Sequence, residues 1–418
     1  MTETSTQIDP DTTAPGGATP PAYPMARDAR CPFDPPPELR RLRDRQEPPT
    51  RVRLWDGSTP WLITGYDDQR ALLVDPRVSA DTGLAAYPHP TEATRARREQ
   101  ARTFISMDDP EHARLRRMVT GPFAIKRVEA MRPAIQRIVD DLVDAMLAGP
   151  RPVDLVQAFA LPVPSMVICE LLGVPYEDHA FFQRHSSVLV NRDQSPEASV
   201  QAQLALADYL DELIARKLAE SADDLLSRLA LEQVATGALT RHDLAVTSVL
   251  LLIAGHETTA NMIALGTAAL LQHPEQLAEL RTTDDPRLVA GAVEELLRYL
   301  TITHSGRRRV AAEDILVGGR TIRAGEGIIL ANDVGNRDGE AFPDPDRLDI
   351  TREARHHVAF GFGPHQCLGQ PLARVELQVV LSTLHRRIPG LRLATDLDQV
   401  RFKHDGLVYG VYELPVTW

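Results

Sequence analysis

The residues best able to do chemistry in this chain lie between positions 360 and 369, in the sequence FGFGPHQCLG. Glycines let a backbone bend sharply and approach a flat object closely. Cys367 precedes a run that is typical of a helix, where free N–H groups and the helix dipole lower the pKa of a thiol. A charged sulfur in a largely apolar loop needs a partner, so the pattern predicts a thiolate that ligates a metal ion.

Two other interpretations of this loop are weaker. A single cysteine is most often a small buried hydrophobic residue. Gly361 and Gly363 could open a dinucleotide-binding loop, but Gln366 stands where the third glycine is required. Such a loop should also follow a strand at the start of a βαβ unit. The chain has three cysteines, which are too few for a four-cysteine zinc or iron–sulfur site.

A second motif lies within the longest helical pattern, residues 240–273, which Thr240 is suited to cap and Pro274 to end. Its centre reads AGHETT, and Gly255 there costs about 1 kcal/mol relative to alanine. Small residues would let a flat cofactor and a diatomic ligand lie against the backbone. The Thr258 hydroxyl can compete for a backbone carbonyl and open the helix locally. The HExxH helix of zinc proteases is excluded, because position 260 is alanine.

A third motif is a basic pair, His112 and Arg116, just after Asp109 and Pro110, which are suited to begin a helix. Side chains four residues apart share one helix face, so two donors can hold one carboxylate. Such a pair on its own is more often surface charge, and only its place before the other motifs favours a binding role.

The elements that must position these motifs are mostly helical. Residues 51–55 and 61–64 flank an Asp-Gly turn, which indicates a β-hairpin, and further strand-like stretches follow residue 299. Residues 79–102 are polar with little periodicity and read as a long loop. The sequence predicts a mainly α chain with small β-sheets, with a disordered tail over residues 1–30 and one domain over residues 31–418.

Composition limits the classes of function. The chain has 418 residues, of which 43% are apolar, and a net charge of −12. The acidic balance argues against nucleic-acid binding, which favours a basic surface. The start of the chain lacks the pattern of a signal peptide, and the longest apolar run, residues 249–254, is too short to span a bilayer. We therefore expect a cytoplasmic monomer without a membrane anchor.

Taken together, the motifs resemble the cytochrome P450 family. The cysteine loop matches the pattern FGxGxHxCxG at every fixed position, and residues 254–258 match the pattern AG-x-acid-Thr. The HxxxR pair and a Glu-x-x-Arg pair, Glu295 and Arg298, occur in the family's order. The resemblance covers residues 31–418 and is closest to actinobacterial members. It implies the helix-rich P450 fold, with heme b between the long central helix and the helix after the cysteine.

The resemblance also implies a role for each matching residue. Cys367 would ligate the iron, as in other heme-thiolate proteins, and Glu257 and Thr258 would be the acid and the alcohol of proton delivery. The heme propionates would be held by His112, Arg116, Arg309 and His365. Further cofactor contacts would come from Ala254, Gly255, Phe360, Gly361 and Gly369. Substrate contacts would come from Leu250, Ala254, Ile302 and Leu407. Arg309 is chosen by its spacing to the Val-Ala that follows, with Arg307 and Arg308 as alternatives.

The implied activity is monooxygenation, in which one atom of O₂ enters a bulky, largely apolar small molecule by hydroxylation or epoxidation. Electrons would come from a ferredoxin and its reductase, and Arg114, Arg117 and Arg374 would help to dock the acidic ferredoxin on the cysteine side. Three alternatives stay open: a carrier-bound substrate, peroxide-driven turnover, and a heme protein that binds a ligand or senses gas. The acid–alcohol pair favours an oxygenase, because a sensor needs no proton relay.

Overall fold

Residues 19–418, the part of the chain described by the computed structural model, are built mainly of α-helices. In chain order, the α-helices are α1 Pro37–Asp44, α2 Tyr66–Val74, α3 Glu92–Gln100, α4 Glu111–Thr120, α5 Ile125–Ala148, α6 Pro162–Leu172, α7 His179–Val190, α8 Pro196–Ala219, α9 Leu225–Leu229, α10 Arg241–Leu271, α11 Pro274–Thr282, α12 Pro286–Leu300, α13 Asn332–Gly335 and α14 Gln370–Arg387. The predicted mainly α class is therefore confirmed.

The strands form small sheets beside the helices. They are β1 Thr50–Arg51, β2 Trp61–Ile63, β3 Val78–Ser79, β4 Val153–Asp154, β5 Arg307–Ala311, β6 Ile315–Val317, β7 Arg320–Ile322, β8 Gly327–Leu330, β9 Arg392–Leu393 and β10 Pro415–Thr417. One sheet has the order β1-β2-β8-β5-β3, a second β4-β10-β9, and a third pairs β6 with β7. The predicted hairpin exists, because β1 and β2 pair antiparallel across the Asp-Gly turn.

Helix α10 is the central element and packs against α6, α8 and α14. Thr240 caps it as predicted. Its hydroxyl accepts from the Asp243 N–H at 3.0 Å, and the Asp243 carboxylate accepts from the Thr240 N–H at 3.2 Å. Its length and apolar character would also suit a membrane-spanning helix, but most of its apolar stretch is buried inside the protein. A helix that is apolar all round is typical of a core position.

One prediction about an irregular segment is wrong. The long loop predicted at residues 79–102 contains α3, whose N-terminus is capped by the Thr91 hydroxyl accepting from the Thr94 N–H at 3.1 Å. Helix α3 packs against α8. Tertiary packing therefore supports a helix that its polar sequence does not reveal, as is common for helices with weak amphipathicity.

The predicted tail ends earlier than expected. Residues 1–18 lie outside the described part of the chain, so the prediction for them is not tested. Residues 19–30 are ordered: Ala22 forms a bridge to the chain just after β1. Tyr23 and Met25 are buried with apolar residues of the five-stranded sheet. The segment is held in place because its apolar side chains are buried against this sheet, which its Pro-rich composition does not indicate.

Candidate active site

The loop that carries Cys367 is held in shape by backbone hydrogen bonds and by two left-handed glycines. The Cys367 N–H donates to the Phe360 carbonyl at 2.8 Å. Gly361 has φ +73° and Gly363 has φ +72°. A Cβ at Gly361 would lie 2.9 Å from the Arg307 guanidinium, and one at Gly363 would lie 2.6 Å from a backbone oxygen of α2. Only glycine fits both the backbone angles and the close neighbours here.

The Cys367 thiol is affected both by burial and by neighbouring charges. The residue has an exposed surface, yet burial raises the pKa of its thiol. Arg307, the Gly369 N–H, Arg116 and Arg374 act in the opposite direction but do not reverse this rise. The predicted lowering of the pKa by the helix terminus is therefore wrong for the protein alone, because desolvation outweighs it. A cation bound at the sulfur would restore the thiolate.

Helix α10 has a stripe of accessible residues on one face. Leu250, Ala254 and Thr258 follow one another at four-residue spacing; Ala254 is exposed and the other two are half-buried, although most of the helix is core. The Thr258 hydroxyl donates to the Ala254 carbonyl at 2.6 Å. The helix is continuous there, so the predicted local opening is not observed: the hydroxyl shares the carbonyl without displacing the helical bond.

The packing of two helices gives a reason for glycine at position 255. A Cβ at this position would lie 2.8 Å from Cδ1 of Ile168 in α6. The missing side chain thus lets α6 approach α10 closely. The predicted contact of Gly255 with the cofactor stays a prediction, and the more accessible small residue is its neighbour Ala254.

Glu257 is buried and is connected to residues that the motif does not contain. Its Oε2 lies 3.6 Å from Lys403 Nζ and 3.5 Å from Asn261 Nδ2, which also donates to the Glu257 carbonyl at 2.7 Å. Its Oε1 lies 3.9 Å from Nε2 of His256, whose Nδ1 is 2.5 Å from Ser165 Oγ. Burial lowers the pKa of His256 and favours its neutral form. Sequence reasoning missed Lys403, since no local pattern marks it.

The predicted propionate partners come together beside the cysteine loop. The His112 and His365 rings stack with centroids 4.0 Å apart, and Arg116 donates to the Gln366 carbonyl at 2.6 Å. The pKa of His365 is lowered to about 3. Burial is the largest cause, and the nearby charge of Arg309 is the second. Four residues from three separate parts of the sequence thus form one basic cluster.

Strand β5 adds a fifth basic residue, Arg307, to this cluster. Side chains alternate along a strand, so Arg307 and Arg309 lie on one face and Arg308 on the other. Arg307 donates to the Ala359 carbonyl at 3.1 Å, next to the cysteine loop. Arg308 points away and donates to the Pro88 carbonyl at 2.5 Å. The geometry therefore supports Arg307 beside Arg309 and removes Arg308 from the alternatives.

These basic groups are not fully satisfied by the protein. His112 Nε2, His365 Nδ1 and Arg307 Nε are buried and have no hydrogen-bond partner within the described residues. Burial lowers the pKa of Arg116 and of Arg309, and that of Arg307 to about 10. Buried donors and cations of this kind require an anionic acceptor. A group with two carboxylates fits the cluster.

Heme b has the chemistry that these features require. It is flat, it carries two propionates for the basic cluster, and its iron can be ligated by Cys367. The described residues contain no group of three or more His, Cys, Asp or Glu side chains that could hold a metal ion. A single thiolate is sufficient only if the metal arrives in a preformed cofactor.

Comparison with known proteins decides the family. Residues 45–388 match the family model described as Cytochrome P450. The chain belongs to the cytochrome P450 family. This P450 is 57% identical over 400 residues to cytochrome P450 GfsF of Streptomyces halstedii, covering 95% of this chain and 96% of that protein. It is 51% identical over 418 residues to pentalenic acid synthase of Streptomyces avermitilis, with both chains fully covered.

A solved P450 structure is also similar to this chain in fold and sequence. The crystal structure of the mycinamicin VIII methyl hydroxylase MycCI from Micromonospora griseorubida, bound to mycinamicin VIII, has a TM-score of 0.89 and 44% identity. The match covers 95% of this chain and all of that one. The predicted fold, the heme b cofactor and the monooxygenase activity on a small organic molecule are therefore confirmed.

The Glu295–Arg298 pair of this P450 is fully buried, as expected for the family. Arg298 Nε and Nη2 donate to the two Glu295 carboxylate oxygens at 2.7 and 2.8 Å. Arg298 Nη1 also donates to the Asn336 carbonyl at 2.8 Å, and the Asn336 side chain accepts from the Val358 N–H at 2.7 Å. The pair thus fixes the segment that leads into the cysteine loop.

The remaining predicted residues are placed as follows. Phe360 lies under the guanidinium of Arg374, 4.7 Å from its ring centre, and Gly369 precedes the first turn of α14. Ile302 and Leu407 are half-buried. The Ile302 carbonyl accepts from the Tyr409 N–H at 2.8 Å, and the Leu407 N–H donates to the end of α7 at 2.7 Å. Their contact with substrate stays a prediction.

Proposed function

We propose that this P450 oxidises bulky, largely apolar molecules, natural products or xenobiotics, by hydroxylation or epoxidation. The observation that carries the proposal is the accessible stripe of α10, which includes the alcohol Thr258 next to the buried acid Glu257. Half-buried Leu250 and Ile302 belong to the same apolar core region. The solved relative bound to mycinamicin VIII supports a large substrate.

The proposed roles of the site residues follow from their contacts. Bound heme would supply the activation of O₂ and the transfer of one oxygen atom to the substrate. Cys367 would ligate the iron. The propionates would be held by five basic side chains: His112, Arg116, Arg307, Arg309 and His365.

Proton supply is the task of the α10 residues. Thr258 Oγ lies at the accessible face. Its single proton is donated to the Ala254 carbonyl, and its lone pairs can accept a hydrogen bond from a neighbouring donor. In this proposal the Glu257 carboxyl group passes protons from the interior toward that face. Lys403, whose side chain is 16% exposed, holds this carboxyl group and links it toward solvent.

We further propose that a ferredoxin, supplied by its reductase, delivers the electrons to this P450, acting as a cytoplasmic monomer. Exposed basic residues at the corner of α4 and α5 support an acidic partner: Arg114, Arg117, Lys126 and Arg127. Arg374, which the sequence also suggests for this surface, is 25% exposed and binds Glu294 with two hydrogen bonds. The charge of Arg374 is therefore largely compensated by Glu294 within the protein.

The first experiment is the absorption spectrum of the reduced, carbon monoxide-bound protein. We expect the red-shifted Soret band of thiolate-ligated heme, and its loss in Cys367→Ser. A screen of macrolactones, terpenoid acids and drug-like molecules then follows spectral shifts, with mass spectrometry for products that gain one oxygen atom. A Soret band typical of histidine ligation would refute the assignment of Cys367.

A further inference from the structure

A second space in this P450 lies away from the cysteine loop. It is a cavity of about 300 Å³ between the N-terminal segment, the loop after α7, the turn after α12 and the C-terminal loop. Its lining residues are Pro24, Met25, Ala26, Arg27, Arg192, His304 and His404. Two of these seven are arginines and none carries a carboxylate, so the lining is suited to an anion. Burial lowers the pKa of His304 to about 3 and also lowers the pKa of His404, so the histidines add no positive charge.

Arg27 is a buried cation with unused donors. The residue is 8% exposed, and its Nη1 donates to the Asp34 carbonyl at 2.6 Å. Its Nε and Nη2 have no hydrogen-bond partner within residues 19–418. The Asp333 carboxylate is 3.7 Å from Nη2, and burial raises the pKa of this acid to about 6. The guanidinium lies 4.2 Å from the centre of the Tyr409 ring, which fixes its plane.

Arg192 brings a second incompletely paired guanidinium to the cavity. Its Nη2 donates to the His404 carbonyl and its backbone N–H to the Asp405 carbonyl. Its Nε is buried without a partner. Burial lowers the pKa of Arg192, against the opposing effect of Asp193 and Asp405. The two arginines together have three buried nitrogen donors without a hydrogen-bond partner among the described residues, and both arginines line the cavity.

His304 connects the cavity to the proposed substrate region. Its Nε2 donates to the Gly406 carbonyl at 2.8 Å. Ile302 and Leu407, two of the proposed substrate contacts, are close neighbours of these residues in the chain. The turn at residues 302–304 and the loop at residues 404–407 therefore each carry one residue of the cavity lining and one proposed substrate contact.

We propose that this cavity binds a carboxylate carried by the substrate. The inference rests on the proposed function and names its substrate class as elongated apolar molecules with an acidic end. The Nε and Nη2 edge of an arginine matches the two oxygens of a carboxylate. Met25 and Pro24 provide apolar surface for the adjoining carbon atoms, as in other small-molecule sites.

The test compares dodecanoate with its methyl ester, two probes that differ in charge. Binding to the holoenzyme is measured by the shift of the heme absorption and by titration calorimetry. We expect dodecanoate to bind the unmodified protein about tenfold more tightly than the ester, since the ester loses a charge-assisted contact. Arg27→Gln and Arg192→Gln should each bring this ratio close to one.

Two controls separate the site from general effects. Arg30→Gln removes a cation from the same segment, but that side chain is 89% exposed and pairs with Asp28, so the ratio should not change. Arg27→Lys keeps the buried charge and should retain most of the preference for the acid, even if Arg27→Gln folds poorly.

The outcomes are distinct. An unchanged ratio in Arg27→Gln and Arg192→Gln, or no binding of dodecanoate to the unmodified protein, overturns the proposal. A further outcome is that excess sodium sulfate stabilises the unmodified protein but not Arg27→Gln, while dodecanoate and its ester bind equally. This would indicate a site for free anions and would also overturn the proposal. The carbon monoxide spectrum of each variant is recorded first, so that a failure of the heme-thiolate function is seen separately.

Discussion

At the scale of single residues, this P450 depends on how each buried charge is compensated. Glu257 is 5% exposed and lies 3.6 Å from Lys403 Nζ, so the acid of α10 has its own cation. Glu376 in α14 is equally buried, but its Oε2 has no partner among the described residues. The first carboxyl group therefore has a cation beside it, whereas burial without a partner favours the neutral form of the second.

Removing either member of the Glu257–Lys403 pair should impair proton supply without preventing substrate binding. We expect Glu257→Gln to reduce turnover by about 100-fold, the size of a typical acid–base contribution. Lys403→Met should divert electrons from product to hydrogen peroxide and enlarge the solvent isotope effect, with the spectral substrate affinity unchanged. Arg323→Met, which removes an exposed cation on the surface, is the matched control. An unaltered product-to-peroxide ratio in Lys403→Met would exclude Lys403 from proton supply.

Because of Glu376, the protein should become less stable as the pH rises from about 4.5 to about 8. Burial raises its pKa from 4.5 to about 8. Above the unfolded pKa the unfolded chain releases this proton while the folded protein retains it, so the free energy of unfolding falls as pH rises toward 8. At 1.36 kcal/mol per pKa unit the loss is at most about 5 kcal/mol. Urea unfolding at a series of pH values gives the free energy of unfolding as a function of pH, and Glu376→Gln should reduce its fall over this range. The surface variant Glu279→Gln is the control and should leave the fall unchanged. An unchanged fall in Glu376→Gln would contradict the prediction.

At the scale of elements, α12 and β5 determine how the cysteine loop is held. Helix α12 places Glu295 and Arg298 where they fix the segment before Phe360 through Asn336. Strand β5 delivers two arginines to the same loop by its alternation. Neither element contains a residue that would take part in the reaction, and both act by positioning.

Breaking the Glu295–Arg298 pair should destabilise the fold. Arg298→Leu leaves the Glu295 carboxylate buried without its main partner, and removing one member of a buried pair costs about 3–5 kcal/mol. We expect a lower urea midpoint and a lower yield of heme-loaded protein. Arg287→Leu, at an exposed pair in the first turn of the same helix, should leave both unchanged. Equal stability of the two variants would show that the buried network is dispensable.

The alternation of β5 predicts unequal effects of its three arginines on heme binding. Arg307→Gln and Arg309→Gln each remove a donor from the basic cluster, and we expect heme to be lost to excess apomyoglobin about tenfold faster. Arg308→Gln changes a side chain on the opposite face and should release heme at the original rate. Faster heme loss from Arg308→Gln than from Arg307→Gln would contradict the proposed cluster.

At the scale of the whole molecule, the net charge is negative but one surface region is basic. The net charge is −12, yet the α4–α5 corner beside the cysteine side exposes basic residues. A local basic region on an acidic protein can steer an acidic partner to one face while the remaining surface repels it. This arrangement favours a separate electron donor that approaches near Cys367.

Reversing charge at this corner should slow ferredoxin-driven turnover. We expect Arg117→Glu combined with Arg127→Glu to lower kcat/KM for a plant-type or actinobacterial ferredoxin about tenfold at low salt, with less effect at high salt. Arg320→Glu, an exposed change on β7, is the control. Turnover supported by hydrogen peroxide should be the same in all three proteins, and an unchanged ferredoxin dependence would remove this corner as the docking surface.

The sequence by itself determined the features that depend on neighbours in the chain. The spacing around Cys367 indicated the ligand loop, AGHETT marked the centre of the long helix, and Thr240 marked its start. Hydrophobic periodicity and caps act over a few residues, so they can be read without knowing what packs against them.

Tertiary structure alone decided the contacts between distant parts of the chain. Lys403 reaches Glu257 from the C-terminal loop, and Ile168 explains Gly255 from another helix. The face of Arg307 is fixed only when β5 pairs with its neighbours. Such contacts arise from the packing of separate elements, and no local spacing carries that information.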